Sequence, residues 1–525
     1  MSAFQGAPKL RLLQRRAIVP HQTLLYGEHM KAADDGTPLP DLNNVQGDVY
    51  FMFPKRWQRF MFFKITNAAQ FQKDLDTYTP RITSSAQTVK DLDKIDKEGG
   101  SGLDIISSGI AFTKSGLKAM GIKKHLKEPH FDQGSLFNEK AKLGDQGQYD
   151  SVFDGDGKND GVILLTAGEK DTCKTKMDEI QAIFKNSVNV VTTYEGRVRS
   201  GDGEHFGWRD GIGHSKPGQR IVNPGVVILG YPGDPVYDNK DAVARPDFTK
   251  DGSFMVFRKL EQNVLFLEDY VNKNWQSIPA DEPKDGTYLT NDQRKNLFAA
   301  RMVGRFKSGV PLALSPYIED PAYLDPGLIN NFDYTEPDGR CPFAAHVRKT
   351  APRNLQPVVS REYLDASVLV RAGIPYGEEI SGQEREDWKK LTDDQKENAV
   401  CPRGLLFVCY QASIDNGFFR QTTLFGNNDF FPLTGLVPQK IGQDPIIGGP
   451  KPVSGTTGTT DLSKEGEVTL QLINNNDEKY EVAGIAKKVV QSATSFEQKF
   501  FVTSRGGDYY FVPSISTVKS WGAAA

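Results

Sequence analysis

Apolar residues fall into short segments in which they alternate with polar ones or run unbroken, with Gly, Pro, Asn and Asp between the segments. LNNVQGDVYFMF (42–53) alternates in the way of a half-buried strand, and RWQRFMFFKI (56–65) reads as the next strand. AAQFQKDLDTYTPRI (68–82) carries its apolar residues at helical spacing. IISSGIAFT (105–113), DGVILLTA (160–167) and SVNVVTTYEGRV (187–198) read as strands, with KDTCKTKMDEIQAIF (170–184) as a helix between the last two. A second series starts near Gly252: GSFMVFRKL is a strand, EQNVLFLEDYVNKNW a helix, and NDQRKNLFAARMVGRF (291–306) a helix capped by Thr290 or Asn291. RGLLFVCYQ (403–411) reads as a fully buried strand, and KFFVTSRGGDYYFVPS (499–514) as a hairpin turning at Arg505–Asp508.

Strands and helices mixed in two stretches predict an α+β fold of two units, 41–250 and 251–525, behind an N-terminal extension at 1–40. Two segments read as surface insertions. Residues 378–400 hold eight acidic and four basic residues around Trp388, which suits an exposed polar helix or lid; 450–461 is a Gly/Thr-rich loop.

Composition narrows the function. In 525 residues, 64 Lys and Arg nearly balance 67 Asp and Glu, so there is no electrostatic footprint for a nucleic acid or an anionic membrane. No apolar run approaches the roughly 20 residues of a membrane helix, and the reading is a soluble globular protein. Four scattered cysteines make no disulfide framework and no CxxC zinc pair, though one disulfide stays open. The N-terminus is basic and acid-poor but lacks the apolar core of a secretory signal, which leaves the compartment unassigned.

Several motifs fail on chemistry. DGDGKNDG (154–161) looks like a calcium loop, but Lys158 occupies a ligand position and Leu165 stands where the bidentate Glu belongs. GHSKPG (213–218) lacks the second Gly of a nucleophile elbow. Three polar groups set in apolar or Gly-rich stretches remain. Asp210 in FGWRDGIGHSKP (206–217) is either a buried carboxylate with work to do or an Asp-Gly turn. His346 in RCPFAAHVRKTAPR (340–353) follows small residues that would let a planar ligand approach, with Arg348, Lys349 and Arg353 able to meet its carboxylates; a satisfied structural His is the alternative. Arg371 in SVLVRAGIPYG (367–377) is a functional cation or a simple ion pair.

Together these residues resemble one family. GWRDG (207–211) is similar to the GxxDG signature of dye-decolorizing peroxidases, and the fungal branch is resembled further, in order, by GSFMVFRKLEQNV (252–264), MVGRFKSGVPL (302–312), CPFAAHVRKTAPR, RAGIPYG (371–377), RGLLFVCYQASIDNGF (403–418) and GQDPIIGG (442–449). The resemblance spans residues 40–515 or so. It implies two ferredoxin-like units with antiparallel sheets and peripheral helices, and one haem b held mainly by the C-terminal unit. His346 would be the iron ligand, its second ring nitrogen donating to Asp444, with Asp429 the weaker candidate. Asp210 would move the proton of hydrogen peroxide and Arg371 would stabilise the charge that develops, on the way to a high-valent oxoferryl state. Ile212, Leu405 and Phe407 would narrow that side, and Arg353 would meet the haem propionates. Carboxyl groups titrate near about pH 4 and histidine near about 6.5, so an aspartate base permits activity in acid.

By the same resemblance dyes and phenolic compounds would lose single electrons at the surface, through Tyr376 or Trp388. The acids of 378–394 would offer Mn(II) oxygen ligands, although a solvated charged face is the plainer reading. The chain would be a monomer or homodimer, and the family's fungal members point to an extracellular setting. Two departures stand out: Ala372 follows Arg371 where relatives often carry a second Arg, and His214 lies close to Asp210 in sequence. The competing reading is a haem-binding or iron-handling protein of the same fold; a haem-free relative and a thiolate-ligated oxygenase fit less well.

Overall fold

The computed structural model describes residues 38–523 apart from 99–103, 146–147, 200–202, 211, 213–221, 284, 326, 335–340, 354, 356–357, 393–394, 397–398, 429, 433–441, 450–470, 474–478 and 482–499. Asp429, His214 and the Gly/Thr loop therefore lie outside the described residues. Two antiparallel half-sheets carry the fold. The first is built from β1 (Trp57–Ile65), β2 (Ser107–Phe112), β3 (Gly161–Ala167) and β4 (Val188–Arg197). The second contains β5 (Ser253–Gln262), β6 (Val370–Arg371), β7 (Ile374–Tyr376) and β8 (Gly404–Gln411). A ribbon of β9 (Gln471–Ile473) and β10 (Lys479–Glu481) stands apart, and β11 (Val502–Val512) returns to the main sheet.

The strand order is β4-β1-β3-β2-β11-β5-β8-β6, with β7 also on β8. The halves join where Phe511 of β11 pairs with Phe112 of β2. At the far edges β4 approaches β7: a side chain at Gly196 would meet Ile374 and the carbonyl of Pro375, so glycine permits the contact that closes the sheet on itself. This strand order suits the division at about residue 250, which we propose as the boundary between units.

Phe60, Phe62, Phe153, Tyr194 and Phe257 interlock within the main core at ring separations of 5.0–6.3 Å. Burying each Phe contributes about 1.5–3 kcal/mol. The helices Ala68–Tyr78, Lys170–Ile183 and Ile515–Ala523 cover one side, where Trp521 stands edge-on to Phe112. Phe60–Phe63 are buried in succession because β1 is covered on both faces. A second core gathers Val264–Asn274 and Asn291–Val303 around Trp208, Cys341, Ala345 and Phe500. Thr290 closes a capping box with Gln293 at the start of the latter helix.

Two local expectations are corrected. Gly47–Phe51 is a short helix, because the alternating residues around it are buried on every side and periodicity alone cannot then separate strand from helix. Arg505–Asp508 is no hairpin turn: β11 runs straight through, and the register with β5 shifts between Ser504 and Gly507. Gly506 (φ +103°) absorbs that bulge in a conformation that favours glycine. None of the four cysteines is joined in a disulfide.

Candidate active site

A cavity of about 500 Å³ opens beside the second half-sheet, within the usual size of a small-molecule site. Asp210, Ile212, His346, Arg353, Arg371, Leu405 and Phe407 all line it. These sequence-predicted residues are thus brought to one place from four separate segments.

Asp210 follows a tight turn that begins after β4. Glu204 holds this turn, accepting from the backbone N–H of Phe206 at 2.7 Å and of Trp208 at 2.9 Å. Gly207 (φ +95°) makes the bend possible. Trp208 Nε1 donates to the Arg305 carbonyl at 2.8 Å, and the Arg209 N–H to Lys307 at 2.8 Å, which ties the turn to the end of the Asn291–Val303 helix. Burial pushes Glu204 up to about 7. Next to it, burial and the charge of Arg199 hold His205 down at about 4, so its ring is neutral over most of the pH range. His205 Nε2 bonds to the Tyr376 carbonyl at 2.7 Å.

That last bond joins the Asp210 turn to the chain carrying Arg371. Arg371 sits on β6 opposite Cys409 of β8, and its Nη1 reaches Asp210 Oδ1 at 3.1 Å. Both side chains remain accessible, at 44% and 36%. On β8, Leu406 and Val408 are fully buried in the core, so strand alternation turns half-buried Leu405 and Phe407 to the cavity.

His346 opens the one-turn helix His346–Thr350. Its Nδ1 lies 2.7 Å from Asp444 Oδ2, and Asp444 is fully buried. Asp444 Oδ1 accepts from the N–H groups of Ile446 at 2.8 Å and Ile447 at 3.1 Å. The carboxylate is thus fixed before it meets the imidazole, whose 26% exposure is toward the cavity it lines.

The neighbours of His346 behave differently from expectation. Ala344 and Ala345 are fully buried in the protein and do not line the cavity; the small side chain of Ala345 lets the segment pack on Gly304. Arg348 stacks on Phe343 at 4.0 Å, and Lys349 donates to the carbonyls of Asn428 and Gly442 at 2.8 and 2.9 Å. Their charges serve carbonyls and rings of the chain rather than a ligand. Arg353 alone of the three reaches the cavity, its guanidinium 3.7 Å from the Phe332 ring centroid.

Tyr376 and Trp388 lie away from this constellation, and neither is fully exposed. Tyr376 is half-buried beside a second groove with Asp150, Lys259, Glu261 and Cys401; burial and the nearby carboxylates raise its phenol well above the usual value. Trp388, on the polar helix Gly382–Lys390, has its Nε1 buried, with the Lys396 ammonium 5.8 Å from its ring centroid. Among the described residues no group of three or more His, Cys, Asp or Glu is arranged to hold a metal ion, and Asp393 and Asp394 lie outside the described residues. Glu204, His205 and Gln262 are the site residues that sequence reasoning missed. An acid three residues before the GxxDG glycine was the available signal.

The fit to a haem can be judged from the donor set. One imidazole backed by a fixed carboxylate, apolar walls at Leu405, Phe407, Ile446 and Phe500, and cations at Arg353 and Arg371 match a flat apolar ligand with an iron centre and anionic edges.

Comparison with known proteins agrees. The model of the "DyP dimeric alpha+beta barrel domain" matches residues 44–200. The dye-decolorizing peroxidase msp1 of Mycetinis scorodonius is 33% identical over 523 residues, covering 95% of this chain and 91% of its own. The structure of an ancestral D-type dye-decolorizing peroxidase superposes with a TM-score of 0.75 at 35% identity, over 92% of this chain and 99% of that one. A dye-decolorizing peroxidase in complex with 2,6-dimethoxyphenol gives 0.72 at 33% identity, over 92% and 100%.

Proposed function

The chain belongs to the dye-decolorizing peroxidase family and is a peroxidase, and from that premise we propose that it reduces hydrogen peroxide at a haem b held by His346 and takes single electrons from dyes and phenols. The observation that carries this reading is the pairing of two constellations on one cavity: His346 backed by Asp444, and Asp210 paired with Arg371. When bound, the haem supplies the redox centre at which peroxide is reduced and to which electrons are returned.

The chain's own residues do the rest. His346 would bind iron through Nε2 while donating its Nδ1 proton to Asp444, which gives the imidazole anionic character and favours the oxidised metal. Asp210 takes a proton from the near oxygen of peroxide and delivers it to the far oxygen, so that water leaves. Arg371 is permanently cationic and stabilises the charge that builds as the O–O bond lengthens. Glu204 and His205 position the carboxylate and guanidinium with respect to each other. Ile212, Leu405 and Phe407 keep this side narrow and apolar, which admits peroxide and turns away a dye.

Bulky reductants are then oxidised at the surface. Tyr376 serves this better than Trp388, since it borders both the second groove and, through Pro375, the cavity wall. The phenolic ligand of the solved relative supports a phenol as substrate. A haem carrier would gain nothing from a carboxylate–guanidinium pair on the open side. Stopped-flow mixing of the Asp210→Asn protein with peroxide tests the assignment: haem stays bound and the reaction slows by orders of magnitude.

A further inference from the structure

Away from the cavity lies a set of buried ionisable groups that the peroxide reaction does not use. Tyr509 of β11 is 1% exposed, and its hydroxyl donates to Glu139 Oε2 at 2.8 Å. The same oxygen of Glu139, 2% exposed, lies 2.8 Å from His130 Nδ1. His130 Nε2 lies 3.1 Å from Asp415 Oδ1, and the Asp415 side chain is 58% exposed. An unbroken line of hydrogen bonds therefore leads from a phenol in the core to solvent. In the other direction Phe418 lines the cavity and its ring meets that of Tyr509 at 6.4 Å, edge-on. Tyr509 is one ring removed from the cavity on one side and one proton relay from water on the other.

Resting on the peroxidase reading, we propose that Tyr509 is a redox-active residue: it gives one electron to the peroxide-derived oxidising equivalent in the cavity and its phenolic proton to Glu139. The O–H bond of Tyr509 breaks and Glu139 Oε2 gains the proton. Glu139 keeps that proton, and His130, which carries a proton on each ring nitrogen, gives the one on Nε2 to Asp415 and thence to water, so that one proton leaves for each electron. Tyr509 is left a neutral radical, and the sequence reverses when a reducing substrate returns an electron through the haem. The site is thus a reversible store for an oxidising equivalent when no dye or phenol is at hand.

The charges of the relay suit this task. His130 is raised to about 9 by its hydrogen bonds to Asp415 and Glu139, against the opposing effect of burial, while Glu139 and Asp415 are lowered by it. A carboxylate therefore waits beside the phenol, and burial together with Glu139 keeps the phenol itself well above its usual value. Glu128 and Lys142 also face the relay, and the Arg258 charge faces Tyr509. Two buried phenol–carboxylate pairs lack the exit. Tyr149 is bonded to Asp145 and Tyr410 to Asp48, and these carboxylates are only 7% and 3% exposed.

The test is freeze-quench electron paramagnetic resonance on holoenzyme mixed with one equivalent of peroxide and no reducing substrate, with the Soret band followed in parallel. Protein carrying Tyr376→Phe, which silences the surface tyrosine, is expected to show a tyrosyl signal that Tyr509→Phe in the same background removes, with the Soret response to peroxide unchanged by the second substitution. Glu139→Gln, which keeps the shape of the relay, is expected to form the signal about a hundredfold more slowly. Asp415→Asn slows it too, and formation is slower in deuterated water. A tyrosyl signal unchanged by Tyr509→Phe in that background would overturn the proposal, as would formation indifferent to Glu139→Gln. A Soret band unmoved by peroxide would overturn the peroxidase reading first and this inference with it.

Discussion

The carboxylate of Asp210 and the guanidinium of Arg371 stand 161 positions apart in the chain and meet at 3.1 Å on the wall of the cavity. One belongs to the turn after β4 and the other to strand β6, so the pair exists only when the two halves of the molecule are assembled. Exchanging the acid for its amide isolates its role. Asp210→Asn retains the shape but loses the proton acceptor, and the rate of reaction with peroxide is expected to fall by about two to four orders of magnitude. The haem absorbance per mole of protein is expected to remain at the wild-type value, which stopped-flow spectra check directly.

Asp444 is predicted to act through His346. Asp444→Asn leaves the imidazole without a carboxylate at Nδ1, weakening haem retention by about 10- to 100-fold. The ferric/ferrous midpoint potential rises, because the ligand donates less charge to the metal. Spectroelectrochemical titration distinguishes this outcome from simple loss of fold, in which no haem would bind at all.

Glu204 is a positioning residue. Glu204→Ala removes the acceptor for two backbone N–H groups and is expected to cost about 1–3 kcal/mol of stability. It lowers the rate with peroxide while leaving His346 and its haem in place. Glu204→Gln, which can still accept one of those bonds, recovers part of both losses.

His130 gives the pH dependence. Its folded value of about 9 lies above its ordinary 6.5, so the folded protein holds the proton more tightly than the unfolded chain. The stability it contributes is whole below pH 6.5 and is lost as pH rises through about 9. The melting temperature is therefore expected to fall across that window, by an amount corresponding to about 3 kcal/mol. His130→Gln flattens that part of the profile. Calorimetry at a series of pH values measures both.

Much of this site is legible in the amino-acid sequence. The strands β1, β3, β5 and β8 follow from their apolar runs, and the capped helix at Asn291–Val303 from Thr290. Asp210, His346 and Arg371 stand in stretches whose chemistry marks them, Asp444 follows from the family resemblance alone, and all four lie around the cavity or against a residue lining it. What stayed hidden depends on distant partners. Whether Arg348, Lys349 or Arg353 faces the cavity is decided by the carbonyls and rings that meet each side chain. Glu204 looks like any surface acid until the turn folds around it. Tyr509 and Glu139 are 370 positions apart, and no local pattern announces their hydrogen bond. Arg-Gly-Gly-Asp carries turn chemistry, and only the pairing with β5 overrides it to leave a bulge at Gly506.

The central claim is that His346 holds a haem that Asp210 and Arg371 make reactive toward peroxide. A rapid-scan visible spectrum of the haem-loaded protein, before and after one equivalent of hydrogen peroxide, tests it most directly. The account predicts a ferric Soret band that falls and broadens within milliseconds, returns on addition of a phenol, and hardly changes in Asp210→Asn. A Soret band that ignores peroxide in the wild-type protein, or that responds equally fast without Asp210, would contradict it.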